Sequence, residues 1–456
     1  SMFEYKQSGD GYNVALGMYA MNQVETGSSN VAIGYTALRG ATGHDMDYNV
    51  AIGAQAMYSN TTGDNNVGIG RNALFTNTTG EGNTVLGTEA GESLSTGNHN
   101  VMVGFAAGED HTGQYSVFIG KGAGTNNTSA DGNVMIGNNA GQANTTQAQN
   151  TYIGFQAGYS SAGVENTMIG YNAGVNTTAG YNVVIGSSAG SDMTTGDYNT
   201  IVGTTAGANI TGSQQNVLLG AYAGRMLQAS KRLVAIGYEA AYMAPTGYQV
   251  AIGHTALHSP TTATENLAIG YAAINGASSS TSEYNTALGN YSLNQVTDSA
   301  KNVAVGYKAG YAITTGDDNI IIGYQAGLAS TTASSNIIIG TNALDSNNGN
   351  NNVIIGKSAA QGATTMDSST IVGHQAAGGD VPTGDYNTAI GYQTLYQLGN
   401  GAESNTALGH RAGYNHTTGG DNTFLGTNAG HGSTTASSNV AVGKDALKAA
   451  QTSSDG

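Results

Sequence analysis

One nine-residue frame, Asn319-Ile320-Ile321-Ile322-Gly323-Tyr324-Gln325-Ala326-Gly327, recurs along the whole chain, for example as Asn182-Val183-Val184-Ile185-Gly186 and Asn422-Thr423-Phe424-Leu425-Gly426. Counted by its closing glycine, the frame has 26 copies from Gly17 to Gly443, and 426 residues over 25 intervals give a mean period of 17. A fixed period of this length means a solenoid or fibre in which each repeat packs on its neighbours. It overrides the several globular domains that a length of 456 residues would otherwise suggest. The expected organisation is a lead-in over 1–12, a continuous repeat over 13–446 with a packing change near 221–237, and a tail over 447–456.

Positions are numbered from the Asn. The second is Val, Thr, Ile or Leu and the fourth Ile, Leu or Val in every copy; the fifth is always Gly. Alternate β-branched residues share one face of a short strand. The eighth is Ala except at Ser292 and Thr394, and turn residues such as Thr61-Thr62-Gly63 follow. The reading is an all-β coil: strand, bend, second strand, turn. The opening Asn is replaced only by Ser116, Leu233, Gln249 and Ser369, and is expected to form a stacked ladder that bonds backbone groups at a turn.

The third position is apolar too. It holds Met102, Phe118, Met135, Tyr152, Met168, Leu218, Ile321, Ile338, Ile354 and Phe424. A strand apolar on both faces is buried on both. A 17-residue coil is too thin to bury both internally. The expectation is therefore that positions two and four fill the coil, while the third-position residues just named form a subunit interface.

The Asn-x-Ala-Ile-Gly-x-x-Ala unit resembles the head repeat of trimeric autotransporter adhesins. Asn66-Val67-Gly68-Ile69-Gly70-Arg71-Asn72-Ala73-Leu74, followed by Thr78-Thr79-Gly80, is more similar to repeat shafts of phage tail fibres and tail-fibre-like bacterial surface proteins. Many of those end in an endosialidase-type chaperone domain, whose opening Ser453-Ser454-Asp455-Gly456 resembles. The resemblance implies an elongated β-roll of about 26 coils, assembled as a parallel homotrimer. It also implies extracellular work in attachment, on a phage virion or a bacterial surface. The chain shows no coiled-coil stalk or membrane anchor, which argues against autotransport.

Specific contacts are expected where the period breaks, since enlarged loops on a rigid coil carry binding. Spacings of 19 occur between Gly34 and Gly53 and between Gly270 and Gly289, and two of 18 between Gly373 and Gly409. The candidate ligand-binding residues are Arg39, His44, Asp45, Asp47 and Tyr48 in the first loop, and Glu283 and Tyr284 in the second. Arg225, Lys231 and Arg232 join them, from a segment holding three of the 13 basic residues. The partner would be a cell-surface glycan or protein receptor. Tyr recurs just after the Gly and just before the Asn, and such rows offer apolar rings with polar hydroxyls to a sugar.

A formal net charge of -16 without a basic stripe disfavours nucleic acid. No apolar run approaches the ~20 residues that span a bilayer. Acidic turns such as Asp317-Asp318 are read as turn chemistry, with calcium the lesser alternative. No nucleophile motif or phosphate loop stands in a recognisable context, so neither enzyme, cofactor nor metal is expected. A passive spacer or matrix protein is the alternative function. An ice-binding surface, motivated by the Thr62, Thr79, Thr96 row, is more remote.

Overall fold

The computed structural model describes residues 11–40, 45–227, 231–243, 247–259, 264–276, 281–379 and 382–449. The chain is an all-β parallel β-solenoid of about 24 turns of about 17 residues. It divides into two compact units, Ser1–Ala229 and Ser230–Gly456. Strands run from β1 (Val14–Leu16) to β13 (Val217–Leu219) in the first unit and from β14 (Leu233–Ile236) to β26 (Val440–Val442) in the second. Within each unit, successive strands pair in parallel, position on position: Val50 on Val67, Ala51 on Gly68, Ile52 on Ile69.

Among the described residues each coil carries one named strand, not two. The stretch after the glycine is a run of turns. Its seventh and ninth positions take positive φ, as at Asn72 (58°) and Leu74 (53°), which breaks extended geometry. The backbone there still pairs coil to coil: Leu74 N–H donates to Ala90 O at 3.2 Å and Thr76 N–H to Glu92 O at 3.0 Å. Nearly the whole circumference is thus hydrogen-bonded to its neighbours, which is how a chain so poor in strand satisfies its peptide groups.

The two sides of the strand lie opposite to the expectation. Met102, Phe118, Met135, Tyr152, Met168, Leu218, Ile321, Ile338, Ile354 and Phe424 are at most 1% exposed within the single chain. They are the core of the coil, so they cannot line a subunit interface. Positions two and four face outward and are half-buried or exposed in every strand of both units.

The physical reason is size matching across the coil. In most coils with a large third position the ninth is glycine, as for Phe118 with Gly124 and Tyr152 with Gly158; Ile338 with Leu344, Ile354 with Ala360 and Ile371 with Ala377 depart from this. In most coils with a small third position the ninth is large, as for Ala32 with Leu38, Gly68 with Leu74 and Ala251 with Leu257; Ala235 with Ala241, Ala304 with Gly310 and Ala407 with Gly413 are small on both sides. A Cβ placed on Gly124 would stand 2.8 Å from the Phe118 ring. Within the run of small third positions after residue 233 the bulk moves to the facing wall at Leu257, Ile274 and Leu293, all fully buried, though not at Ala241 or Gly310. Tyr152 fits because its hydroxyl bonds Ser161 Oγ at 2.7 Å, and burial pushes that phenol up to about 12.

Two side-chain ladders fix the stacking. Asn83 Oδ1 accepts the N–H of Asn100 at 2.9 Å, and Asn83 Nδ2 donates to Gly97 O at 2.9 Å. The expected Asn ladder is thus present, and Ser116 and Ser369 continue it through their hydroxyls, which accept from Asn133 and Asn387 N–H. Two residues before the Asn, Asp or Asn accepts an N–H from the preceding coil: Asp64 from Asp47 at 2.7 Å, Asp317 from Ala300 at 2.6 Å. The acidic turns are spent on this capping. A third column is bare backbone. The fifth-position glycines have φ near +135°, and a Cβ on Gly104 would meet Gly120 O at 2.5 Å, so no other residue fits.

Candidate functional site

Once the coil has filled its own core, what is left over is an apolar exterior. Leu86 is 47% exposed, Ile320 39% and Ile322 37%. In each unit, positions two and four line up as two columns of Val, Thr, Ile and Leu. Thirteen strands at ~4.8 Å spacing make that face about 60 Å long, with an area on the order of 600 Å². Monomers rarely expose a contiguous patch of that size without using it.

Aromatic rows border this face. Just after the glycine, Phe155 stacks on Tyr171 (5.3 Å, 9°) and Tyr307 on Tyr324 (5.4 Å, 19°); just before the Asn, Tyr181 stacks on Tyr198 (4.9 Å, 8°). The rings cover one another's faces. What they turn to solvent is edges and hydroxyls, so a sugar can stack only on the last ring of a row. The threonine row is likewise committed: Thr112 and Thr195 Oγ1 donate to the carbonyls of Thr128 and Thr211 in the next coil.

The Asn ladder is interrupted in two successive copies, at Leu233 and Gln249. Beside that interruption an open cleft of about 480 Å³ is lined by Arg232, Tyr248, Gln249, Val250, Glu265, Asn266 and Leu267. Arg232 lies over the Tyr248 ring at 5.2 Å and donates to its hydroxyl at 2.5 Å. Val250 and Leu267 belong to the outward columns, so the cleft has an apolar floor, an aromatic and cationic wall, and an acid across from it. Loss of the Asn rung was visible in the sequence; that Tyr248 and Glu265 share its column was not, because their spacing of 17 carries no mark of its own.

The candidate residues fall in several places. Arg232 and Tyr284 stand in one column of the second unit, before the Asn register, with Tyr248 and Glu265 between them. Lys231 neighbours them and is exposed. Glu283 forms backbone bridges to Thr264 and Ala300, so it is built into the coil. Arg225 belongs to the first unit and lies over Tyr222 at 5.5 Å. In the first loop, Arg39 is held over Tyr58 at 5.0 Å, Asp47 accepts from Ser28 N–H at 2.6 Å, and Asp45 and Tyr48 are exposed. His44 lies outside the described residues.

In the first unit Glu89, Glu92 and Glu109 bring carboxylate oxygens within 4.8 Å of one another. Burial and like charge raise the pKa of Glu92 and of Glu109, while Arg71 is paired with Glu89. Among the described residues no helix is long and apolar enough to cross a membrane.

Comparison with known protein families, curated proteins and solved structures gave no match. The class the geometry defines is a parallel β-solenoid repeat protein, and its role must be argued from its own surfaces.

Proposed function

We propose that this chain is the shaft of a homotrimeric extracellular fibre that serves in attachment to a cell surface, as a phage tail fibre or bacterial surface adhesin. One observation carries the reading: the outward apolar columns of positions two and four lie on a coil whose own core is already complete. Such a face is superfluous for folding and costly in water. A second copy of the same regular face is its natural cover, and parallel copies about a threefold axis bring like position to like. The net charge of -16 disfavours nucleic acid as the partner. The work is binding rather than catalysis, directed at a cell-surface glycan or protein receptor. A selective contact needs a surface that occurs once, and the cleft beside Arg232 is such a place.

Light scattering in native buffer should report about three times the 45.9 kDa chain mass. Aspartate at Ile322 and Ile339, both outward, should give a monomer with an unchanged far-UV circular dichroism spectrum. A parent protein that is already monomeric would overturn the assembly. For attachment, Arg232→Ser and Tyr248→Ala should weaken binding to cells. Equal binding by both variants would reduce the chain to a spacer.

A further inference from the structure

The second unit carries two patches in which ring ladders flank the seventh position, and they differ in the charge set between them. In one, Tyr238 stacks on His254 and Tyr242 on His258, at 4.9 and 5.1 Å. Between them Glu239 lies 3.4 Å from His258 Nε2. In the other, within the 18-residue spacings, Tyr392 stacks on His410 at 5.3 Å and Tyr396 on Tyr414 at 5.1 Å. The residue between these ladders is Arg411.

Arg411 is unusually well placed. Its Nε donates to Gln393 Oε1 at 3.0 Å, and Gln393 Nε2 in turn donates to Gln375 Oε1 at 2.9 Å. Its guanidinium also lies over the Tyr414 ring at 5.3 Å. These contacts fix the group from one edge and one face. Among the described residues no carboxylate pairs with it and no acceptor meets its Nη groups. In a chain of net charge -16, a positioned cation with an open two-nitrogen fork is exceptional. Burial first, and then the charges of Arg411 and Lys448, lower the pKa of His431, which stacks on Tyr414 at 5.2 Å. The hydroxyls of Tyr392, Tyr396 and Tyr414 have no protein partner among the described residues.

We infer that this strip, centred on Arg411, binds an extended acidic glycan, with the Arg411 fork taking a sugar carboxylate and the neighbouring phenols taking ring hydroxyls. A guanidinium fork matches a carboxylate in two parallel bonds. The ring centroids repeat every 5.1 to 5.5 Å along the coils, close to the advance of one sugar in an extended β-linked chain. Successive sugars can therefore meet successive coils. Ring edges with hydroxyls, rather than ring faces, suit a polar chain laid along the ladder. The seventh and tenth positions lie beyond the glycine bend, and only the sixth-position rings of Tyr392 and His410 border the face assigned to self-association, so the Arg411 fork itself does not belong to that face.

The test is calorimetric titration of the full chain with a β-linked trimannuronate, with mannotriose as its uncharged counterpart and mannuronate as the single unit. Trimannuronate should bind; mannotriose, which lacks the carboxylate, should be at least about tenfold weaker, as loss of a charged hydrogen-bond pair implies. Single mannuronate, which keeps the carboxylate but not the contacts of neighbouring sugars with the next phenols, should also be weaker. Arg411→Gln should cost about tenfold or more, whereas Lys121→Gln, the same charge change in the first unit, should cost nothing. Circular dichroism establishes that both variants are folded. The site is overturned by no binding of trimannuronate, by equal binding of mannotriose or of the single unit, by an Arg411→Gln variant that binds like the parent, or by an equal loss in Lys121→Gln.

Discussion

Two columns of side chains, one residue apart, have opposite fates in this protein. Ile321 is fully buried and its neighbours Ile320 and Ile322 are 39% and 37% exposed, although all three are isoleucine. Residue type does not separate them; what lies across the coil does. The inner column faces the eighth and ninth positions and adjusts its size to them, while the outer columns face nothing in their own chain. Here hydrophobicity reports that a residue is covered by something, and size matching reports by what.

The comparison breaks most visibly at Ile338. Ile338→Asp puts an unpaired charge in a dry core and should cost about 3–5 kcal/mol; chemical denaturation should show the loss even in dilute protein. An unfolding midpoint equal to the parent's would return this column to the surface. Next is a swap of bulk. Phe118→Ala should cost about 3–5 kcal/mol, and adding Gly124→Leu should restore part of it, since Leu74 already occupies the same position at φ 53°. No recovery in the double variant would break the size-matching argument. Smaller is Asn83→Ala, which removes one rung and leaves Asn100 N–H and Gly97 O without their partners, at about 1–3 kcal/mol. By contrast Ile322→Asp should change unfolding of the single chain by no more than about 0.5 kcal/mol, while it should abolish the proposed assembly.

A pH effect sharpens the same contrast between inside and outside. His111 and His416 are fully buried at the twelfth position, where Asn60 and Asn77 stand in other coils. Burial lowers the pKa of each below the ordinary 6.5, so the fold favours the neutral ring. Below that value the unfolded chain takes up protons that the folded chain refuses. Their contribution is thus complete above about pH 6.5 and falls as the pH drops towards the folded pKa. Thermal melts from pH 7.5 to 5 should show this decline, and His111→Asn with His416→Asn should flatten it.

The solenoid, its period and the Asn ladder were legible because they repeat: 26 copies of Gly at one position leave no other fold. The inside and outside of the strand were not read correctly, because alternation says only that two faces differ, and here both are apolar. The missing signal was in plain view as pairs such as Phe118 with Gly124 and Ala389 with Leu395, five residues beyond the strand. The interruption at Leu233 and Gln249 was legible for the same reason the ladder was. Arg411 was not, since its setting joins Gln393, at the same position one coil earlier, to Tyr414, three residues on in its own coil, and neither spacing carries a mark of its own.

The column of fifth-position glycines also bears on heredity. Because no side chain fits between Gly104 and Gly120, every coil must meet the next at the same place, and the repeat behaves as a counting unit. A crossover between any two copies of the unit within a gene keeps all columns in phase and alters length by whole coils. A slip of one codon puts a Cβ against a carbonyl and turns the strand inside out. Length can then drift between lineages in whole-coil steps while the cross-section is inherited unchanged. Deletion of residues 83–99, one full period, should accordingly give a folded chain in which Asn100 takes the rung now held by Asn83.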